Sequence, residues 1–200
     1  MSRAASAQRP DRRRLIIWIV VAIVVIAVVV IVGFASRNVV PQNATEAVGQ
    51  SSLKVGDTAP EFNVQTNAGP FDLASVSTPV LLEVFATWCP HCQRETVAMN
   101  DIAAKYAGKV AIVAVSGDAF DMTHTGAESQ ADVNLFAQTY SVRYPIAFDP
   151  QLAVAKAYLK DGFPTLVLIG PDKKIRWMTS GETSEAAIVK AIKPAVNAAT

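Results

Sequence analysis

A chain of 200 residues, 51% of them apolar, can bury one substantial core and still carry an appendage. Its net charge of +1 is unevenly spread: Arg3, Arg9, Arg12, Arg13 and Arg14 crowd the start against Asp11 alone, and the remainder is slightly acidic. That balance gives no reason to expect nucleic acid as a partner.

After the basic tail, residues 1–14, comes LIIWIVVAIVVIAVVVIVGF, Leu15 to Phe34, without a charge. At ~1.5 Å per residue such a helix covers roughly the 30 Å of a bilayer's hydrocarbon core. A secretory signal has a shorter apolar stretch, about 7–15 residues. Cleavage near Gly33-Phe34-Ala35, or a twin-arginine export signal, are the competing readings. The expectation is a single transmembrane anchor with a cytoplasmic arginine tail. The rest of the chain then lies outside the cytoplasm, in a periplasm or its equivalent, where disulfides persist. Residues 35–52, small and polar with Pro41 and Gly49, read as a linker, in which the sequon Asn43-Ala44-Thr45 is incidental.

Residues 53–200 read as one domain. Short strands are expected at Phe62–Val64 and Phe71–Leu73 around the turn Asn67-Ala68-Gly69-Pro70. VLLEVFA, Val80–Ala86, is a buried strand holding one carboxylate, Glu83. A helix follows the cysteines, with Ala98, Met99, Ile102, Ala103 and Tyr106 on one face. A second buried strand is Lys109–Ser116, and a loop from Gly117 to Ser129 leads to a helix built on Val133, Phe136, Ala137 and Tyr140. A strand at Ile146–Phe148, a small helix at Leu152–Tyr158, a hairpin of Thr165–Gly170 with Ile175–Thr179, and a helix from Ser184 to Val196 complete the chain. This order points to an α/β sandwich around a mixed sheet.

Both cysteines lie in ATWCPHCQRE, Ala86 to Glu95. With Cys89 capping a helix and Pro90 in its first turn, the sulfur sits at the positive end of the helix dipole beside unpaired amides. A thiolate there is stabilised, and His91 can add a charge or a hydrogen bond; helix-terminal CxxC cysteines reach pKa values as low as about 3.5. Cys92, one turn on, would be the resolving thiol. A structural staple across so short a loop removes little entropy. A zinc site lacks ligands, since only His91 and His124 could supplement the thiols. A Cu(I)-handling site stays open, and so does redox exchange.

The segments VGDTAPEF, VLLEVFATWCPHCQRE and GFPTLVLIGPDKKIRW together resemble the thioredoxin superfamily, and within it the membrane-anchored TlpA/ResA-like thiol–disulfide oxidoreductases. The resemblance runs from Val55 to the C-terminus and implies a thioredoxin-like three-layer sandwich. It makes Cys89 the exposed nucleophile and Cys92 its buried partner. Pro164 matches the family's cis-proline, which faces the disulfide and seats the client chain, with Trp88, Phe163 and Thr165 beside it as client-binding residues. Glu83 stands where the superfamily places a buried acid that trades a proton with Cys92, against the alternative of an edge-strand glutamate. Glu95, three residues after Cys92, matches an acid near the cysteines, against that of a solvated helix residue. His124, in a polar loop, reads as solvated.

The dipeptide departs from the anchored group, whose proline directly precedes the second cysteine; Pro90-His91 instead resembles the DsbA oxidants. The stretch between Ser116 and Tyr144 is too short for their helical insertion, and Val97 stands where the anchored group often has proline. The sequence expectation leans toward an oxidant that hands a Cys89–Cys92 disulfide to protein thiols, needs no cofactor beyond that disulfide, and is recycled by a membrane redox partner. The alternatives are a reductant for apocytochrome or metal-site cysteines, a copper-delivery protein, and a thiol peroxidase. The last usually has threonine three residues before its reactive cysteine, whereas Thr87 stands two before Cys89.

Overall fold

The computed structural model describes residues 12–35 and 51–198, so the basic tail and most of the linker lie outside the described residues. The chain divides into two compact units near residue 40. The first contains helix α1, Arg12–Ala35. Its described side chains run from Ile16 to Val28, and the large apolar ones among them are all about half exposed or more, Trp18 most at 71%. That stretch measures about 20 Å, and among the described residues no helix is long and apolar enough to cross a membrane.

In the second unit, β1 (Asn63–Thr66) and β2 (Gly69–Asp72) form a hairpin. Its strands lie nearer the turn than the sequence suggests, because Asp72 caps the tight turn Leu73–Ser75 by accepting from the Ala74 amide. Next come β3 (Val80–Phe85), α2 (Pro90–Lys105), β4 (Ala111–Ser116), α3 (Gln130–Thr139) and β5 (Ile146–Phe148). The chain closes with α4 (Ala153–Tyr158), β6 (Thr165–Ile169), β7 (Ile175–Ser180) and α5 (Glu185–Asn197). The sheet order is β2-β1-β5-β4-β3-β6-β7, parallel across β3–β4–β5 and antiparallel elsewhere, which is the mixed sheet of the α/β expectation. The domain begins earlier than position 53: the Ser51 amide donates to Leu159 O and its hydroxyl to Ala157 O, docking it on the end of α4.

The alternation of β3 sorts the core into two layers. Leu81 and Phe85 pack with Met99 and Ile102 of α2, Phe136 of α3 and Ile188 and Ile192 of α5. Val80, Leu82 and Val84 pack with Val154, Ala155 and Tyr158 of α4 and with Phe62 and Leu73. Glu83 falls between Leu81 and Phe85 in this period, so it points toward α2. It pairs with Ala114 of β4 on one side and Leu166 of β6 on the other, at the middle of the sheet and not at an edge.

Gly117, just past β4, donates its amide to Phe85 O. A Cβ there would stand 2.6 Å from Val84 Cγ1, 2.9 Å from the Ala155 Cβ and 3.2 Å from Phe163 Cε1. Only a bare Cα lets the β4 exit, α4 and the Phe163 segment meet. Gly117→Ala is expected to destabilise the domain by about 1–3 kcal/mol through overpacking, read as a lower midpoint in urea with an unchanged slope.

Candidate active site

β3 delivers the chain to the N-terminus of α2, where Cys89 is the cap residue (φ −75°, ψ 117°) and Pro90 takes the first turn. No side chain caps this end, so its amides are free to face sulfur. Both cysteines are free thiols. The Cys89 thiol is brought down to about 6: the largest cause is the Cys92 S–H donated to it, opposed by burial and reinforced by the backbone N–H groups of Cys92 and His91. Burial first, then that same donated S–H, then the charge of Glu83 push the Cys92 thiol far above its ordinary range. The pair is therefore one nucleophile and one held proton.

Against the expectation of an exposed nucleophile, Cys89 is only 5% exposed. Its thiol turns inward, Sγ lying 3.8 Å from the Phe163 carbonyl. The Phe163–Pro164 peptide is cis and Pro164 is buried. Thr165 does not offer its side chain to a client: it is wholly buried, its hydroxyl donating to Gly162 O (2.8 Å) and accepting from the Lys160 amide (3.2 Å), because the turn needs both bonds to hold its shape.

Behind the sulfurs lie two buried carboxyls. Glu83, 1% exposed, accepts from the Tyr144 hydroxyl at 3.2 Å; burial, then the neighbouring Glu95, hold its pKa well up. Glu95, 2% exposed, accepts from the Thr183 amide through Oε1 at 2.7 Å, and its buried Oε2 has no partner among the described residues. Burial raises it to about 7, against the pull of that amide. The solvated and edge-strand alternatives for these two residues do not hold.

On the rim, Pro90 and His91 are exposed, Trp88 and Phe163 half-buried. Trp88 meets Phe163 edge-on (6.2 Å) and lies 4.7 Å from His124, which also meets Phe120 at 4.7 Å. Exposed His124 is thus a wall of the site, reached by a loop fold that its polar sequence does not announce. His91 is turned to Arg94 and Glu182 rather than capping the sulfur with its ring. A cleft of about 980 Å³ runs from His91 and Arg94 past Phe163 to the 180–185 turn.

Sequence reasoning also missed Glu128. Buried at the end of the Gly117–Ser129 loop, it accepts from the Thr87 hydroxyl at 2.5 Å and, through its other oxygen, from the Ser116 hydroxyl. Burial raises it to about 7 in spite of both bonds. The signal available was Ser129-Gln130-Ala131-Asp132, a capping box that fixes the helix start and turns the preceding residue inward. Among the described residues no group of three His, Cys, Asp or Glu side chains is placed to hold a metal.

The AhpC/TSA family matches residues 55–178. The thioredoxin-like protein YneN of Bacillus subtilis is 31% identical over 142 residues, 70% of this chain and 77% of that one. The thiol-disulfide oxidoreductase ResA of the same organism is 30% identical over 152 residues, 73% and 80%. Among solved structures, a Chlorobium tepidum protein described as a candidate thiol:disulfide interchange protein DsbE superposes with a TM-score of 0.63 at 29% identity, over 72% of this chain and 99% of that one. The fold is thioredoxin-like.

The buried carboxyls leave a signature in stability. Glu95 holds its proton to about pH 7 when folded but only to about 4.3 when unfolded. Between those values the folded state binds the extra proton, so stability falls as pH rises and stays lower above the window. Glu95→Gln, which keeps the acceptor for Thr183, is expected to stabilise the domain by about 2–3 kcal/mol at pH 8 and by nothing near pH 4. Denaturant titrations at the two pH values check it.

Proposed function

The chain belongs to the AhpC/TSA family and is a protein thiol–disulfide oxidoreductase, and from that premise we propose that it reduces client disulfides while anchored to the outer face of a cytoplasmic membrane. The observation that carries the direction is the modest depression of the Cys89 thiol, to about 6. At pH 7 this favours the reduced form about tenfold over a dithiol with an ordinary pKa near 8.5, which makes the disulfide about 30 mV more oxidising. A thiol near 3.5 would give about 3,000-fold and about 100 mV. The Pro90-His91 dipeptide favours an oxidant, but the assembled site lies nearer the thioredoxin value of about 7 than the DsbA value.

Catalysis then runs as follows. The Cys89 thiolate attacks one sulfur of a client disulfide, forming the mixed disulfide and releasing the other client sulfur as thiolate. This removes the negative charge next to Glu83, which that charge had helped keep protonated. Glu83 then loses its proton to solvent and, as a carboxylate, accepts the Cys92 proton.

 Cys92 Sγ attacks Cys89 Sγ, the second client thiolate departs, and the couple ends as the Cys89–Cys92 disulfide. Two electrons have passed to the client, and a membrane redox partner returns them.

The anchor rests on Leu15–Phe34, uncharged throughout, and on the described α1 side chains, whose large apolar members face outward all round the helix. Water is a poor solvent for such a surface, and lipid a good one. The arginines before it keep the N-terminus on the cytoplasmic side, which leaves the cysteines in a space where client disulfides occur.

Two measurements test this reading. The reduction potential of the full-length protein is expected below about −200 mV, and a value near the roughly −120 mV of DsbA would overturn the reductant direction. In cells, Cys92→Ala is expected to accumulate mixed disulfides with clients whose own cysteines were paired, with Cys89 open to a membrane-impermeant thiol reagent. Protection of Cys89 behind the cytoplasmic membrane would overturn the topology.

A further inference from the structure

Tyr144 reaches the buried acid Glu83 from a short segment that is fixed on both sides. Asn100, 5% exposed on α2, grips the turn before it: its Nδ2 donates to Ser141 O (2.9 Å) and its Oδ1 accepts from the Arg143 amide (2.7 Å). That grip matters because Ser141 sits in the left-handed region, at φ 53°, without being glycine. On the other side, Pro145 O accepts from the Ala114 amide at 2.9 Å. Ala114 is the β4 partner of Glu83 in the sheet register. Tyr144, between Arg143 and Pro145, is thereby delivered to the level of Glu83, and its hydroxyl donates to Glu83 Oε2 at 3.2 Å. The helix that carries both cysteines thus also aims the phenol at the acid behind them.

The groups around Glu83 pull its proton in two directions. Burial first, then the charge of Glu95 and last that of Cys89 hold the proton on, while the Tyr144 hydroxyl acts the other way. The Cys92 thiol feels the charge of Glu83 in turn. Burial and that same charge keep the phenol protonated, so it stays a donor. A bond to an ionised acceptor is shorter and about twice as strong as one to a neutral group. The Tyr144 contact therefore strengthens when Glu83 loses its proton, at a place where little water can reach the charge.

We propose that Tyr144 is the positioning residue that readies Glu83 to take the Cys92 proton, by giving the carboxylate a hydrogen bond from a backbone site that Asn100 fixes. Tyr144 acts through Glu83. The proton concerned leaves Cys92 Sγ as that sulfur attacks Cys89 Sγ, and the bond from Cys89 to the client sulfur breaks, releasing a client thiolate. The inference deepens the catalytic sequence proposed above and rests on Glu83 being the base there.

The test uses the reduced full-length protein and a symmetrical nitroaromatic disulfide whose thiolates absorb visible light as they leave. The first release reports attack by Cys89, the second attack by Cys92. Tyr144→Phe is expected to leave the first release unchanged. It should raise the midpoint of the pH profile of the second by about one unit and slow it about tenfold below that midpoint. In a Glu83→Gln background the same substitution should change neither release. An unmoved midpoint overturns the proposal, and so does slowing that persists without the carboxyl or falls on both releases alike. A tyrosine fluorinated on its ring, incorporated at position 144, keeps the shape and donates more strongly. It should lower the midpoint, and a midpoint that stays or rises overturns the proposal even where loss of the hydroxyl disturbs packing. Glu83→Gln alone should slow the second release. If it does not, Glu83 is not the base and the catalytic sequence falls with the proposal, whereas a slowed Glu83→Gln beside an unmoved Tyr144→Phe removes the proposal alone. Neither release depends on which way electrons flow in the cell.

Discussion

Four acids share one buried patch: Cys89, Cys92, Glu83 and Glu95. At so low a local dielectric they can hold little negative charge together, and each ionised member makes the next harder to ionise. The end of α2 decides which one is charged. Free amides and the Cys92 S–H face Cys89, so the charge settles there and the others keep their protons. The chemistry follows from that arrangement: when the charge leaves on forming a bond to a client, the proton behind it becomes movable. The core supports the patch by presenting Glu83 from the centre of the sheet, where it cannot swing into solvent.

Much of this was legible in the sequence. VLLEVFA reads as a buried strand, and its parity alone puts Glu83 on the face of Leu81 and Phe85. Pro90 after Cys89 reads as a helix start, and the apolar spacing through Met99 and Ile102 identifies the face of α2 that descends into the core. The illegible parts are contacts between distant segments. Tyr144 meets Glu83 across 61 positions, Thr87 meets Glu128 across 41, and His124 reaches Trp88 from a loop whose own sequence is polar. Local pattern records which face a residue occupies, not which remote loop will close over it.

The CPHC dipeptide shows the same limit in chemical form. Read alone, it carries the properties of the oxidants that share it. In the folded chain His91 meets Arg94 on its own helix and Glu182 from the far side of the cis-proline turn. A motif names the residues beside the sulfur, and the fold decides what else those residues touch.

The carboxyl of Glu128 bridges hydroxyls at the exits of two adjacent strands, Thr87 after β3 and Ser116 at the end of β4. The excursion that starts at Gly117 is therefore pinned at its root, while at its tip the Asp121 carboxylate accepts from the Thr123 amide and hydroxyl and from the Thr125 amide. Root and tip are joined by a narrow ladder, in which the Glu128 amide donates to Ala119 O and the Asp121 amide to Gly126 O. A new side chain at the tip would therefore reach the rim of the site through His124 and Trp88, while the strand ends beneath stay fixed by Glu128.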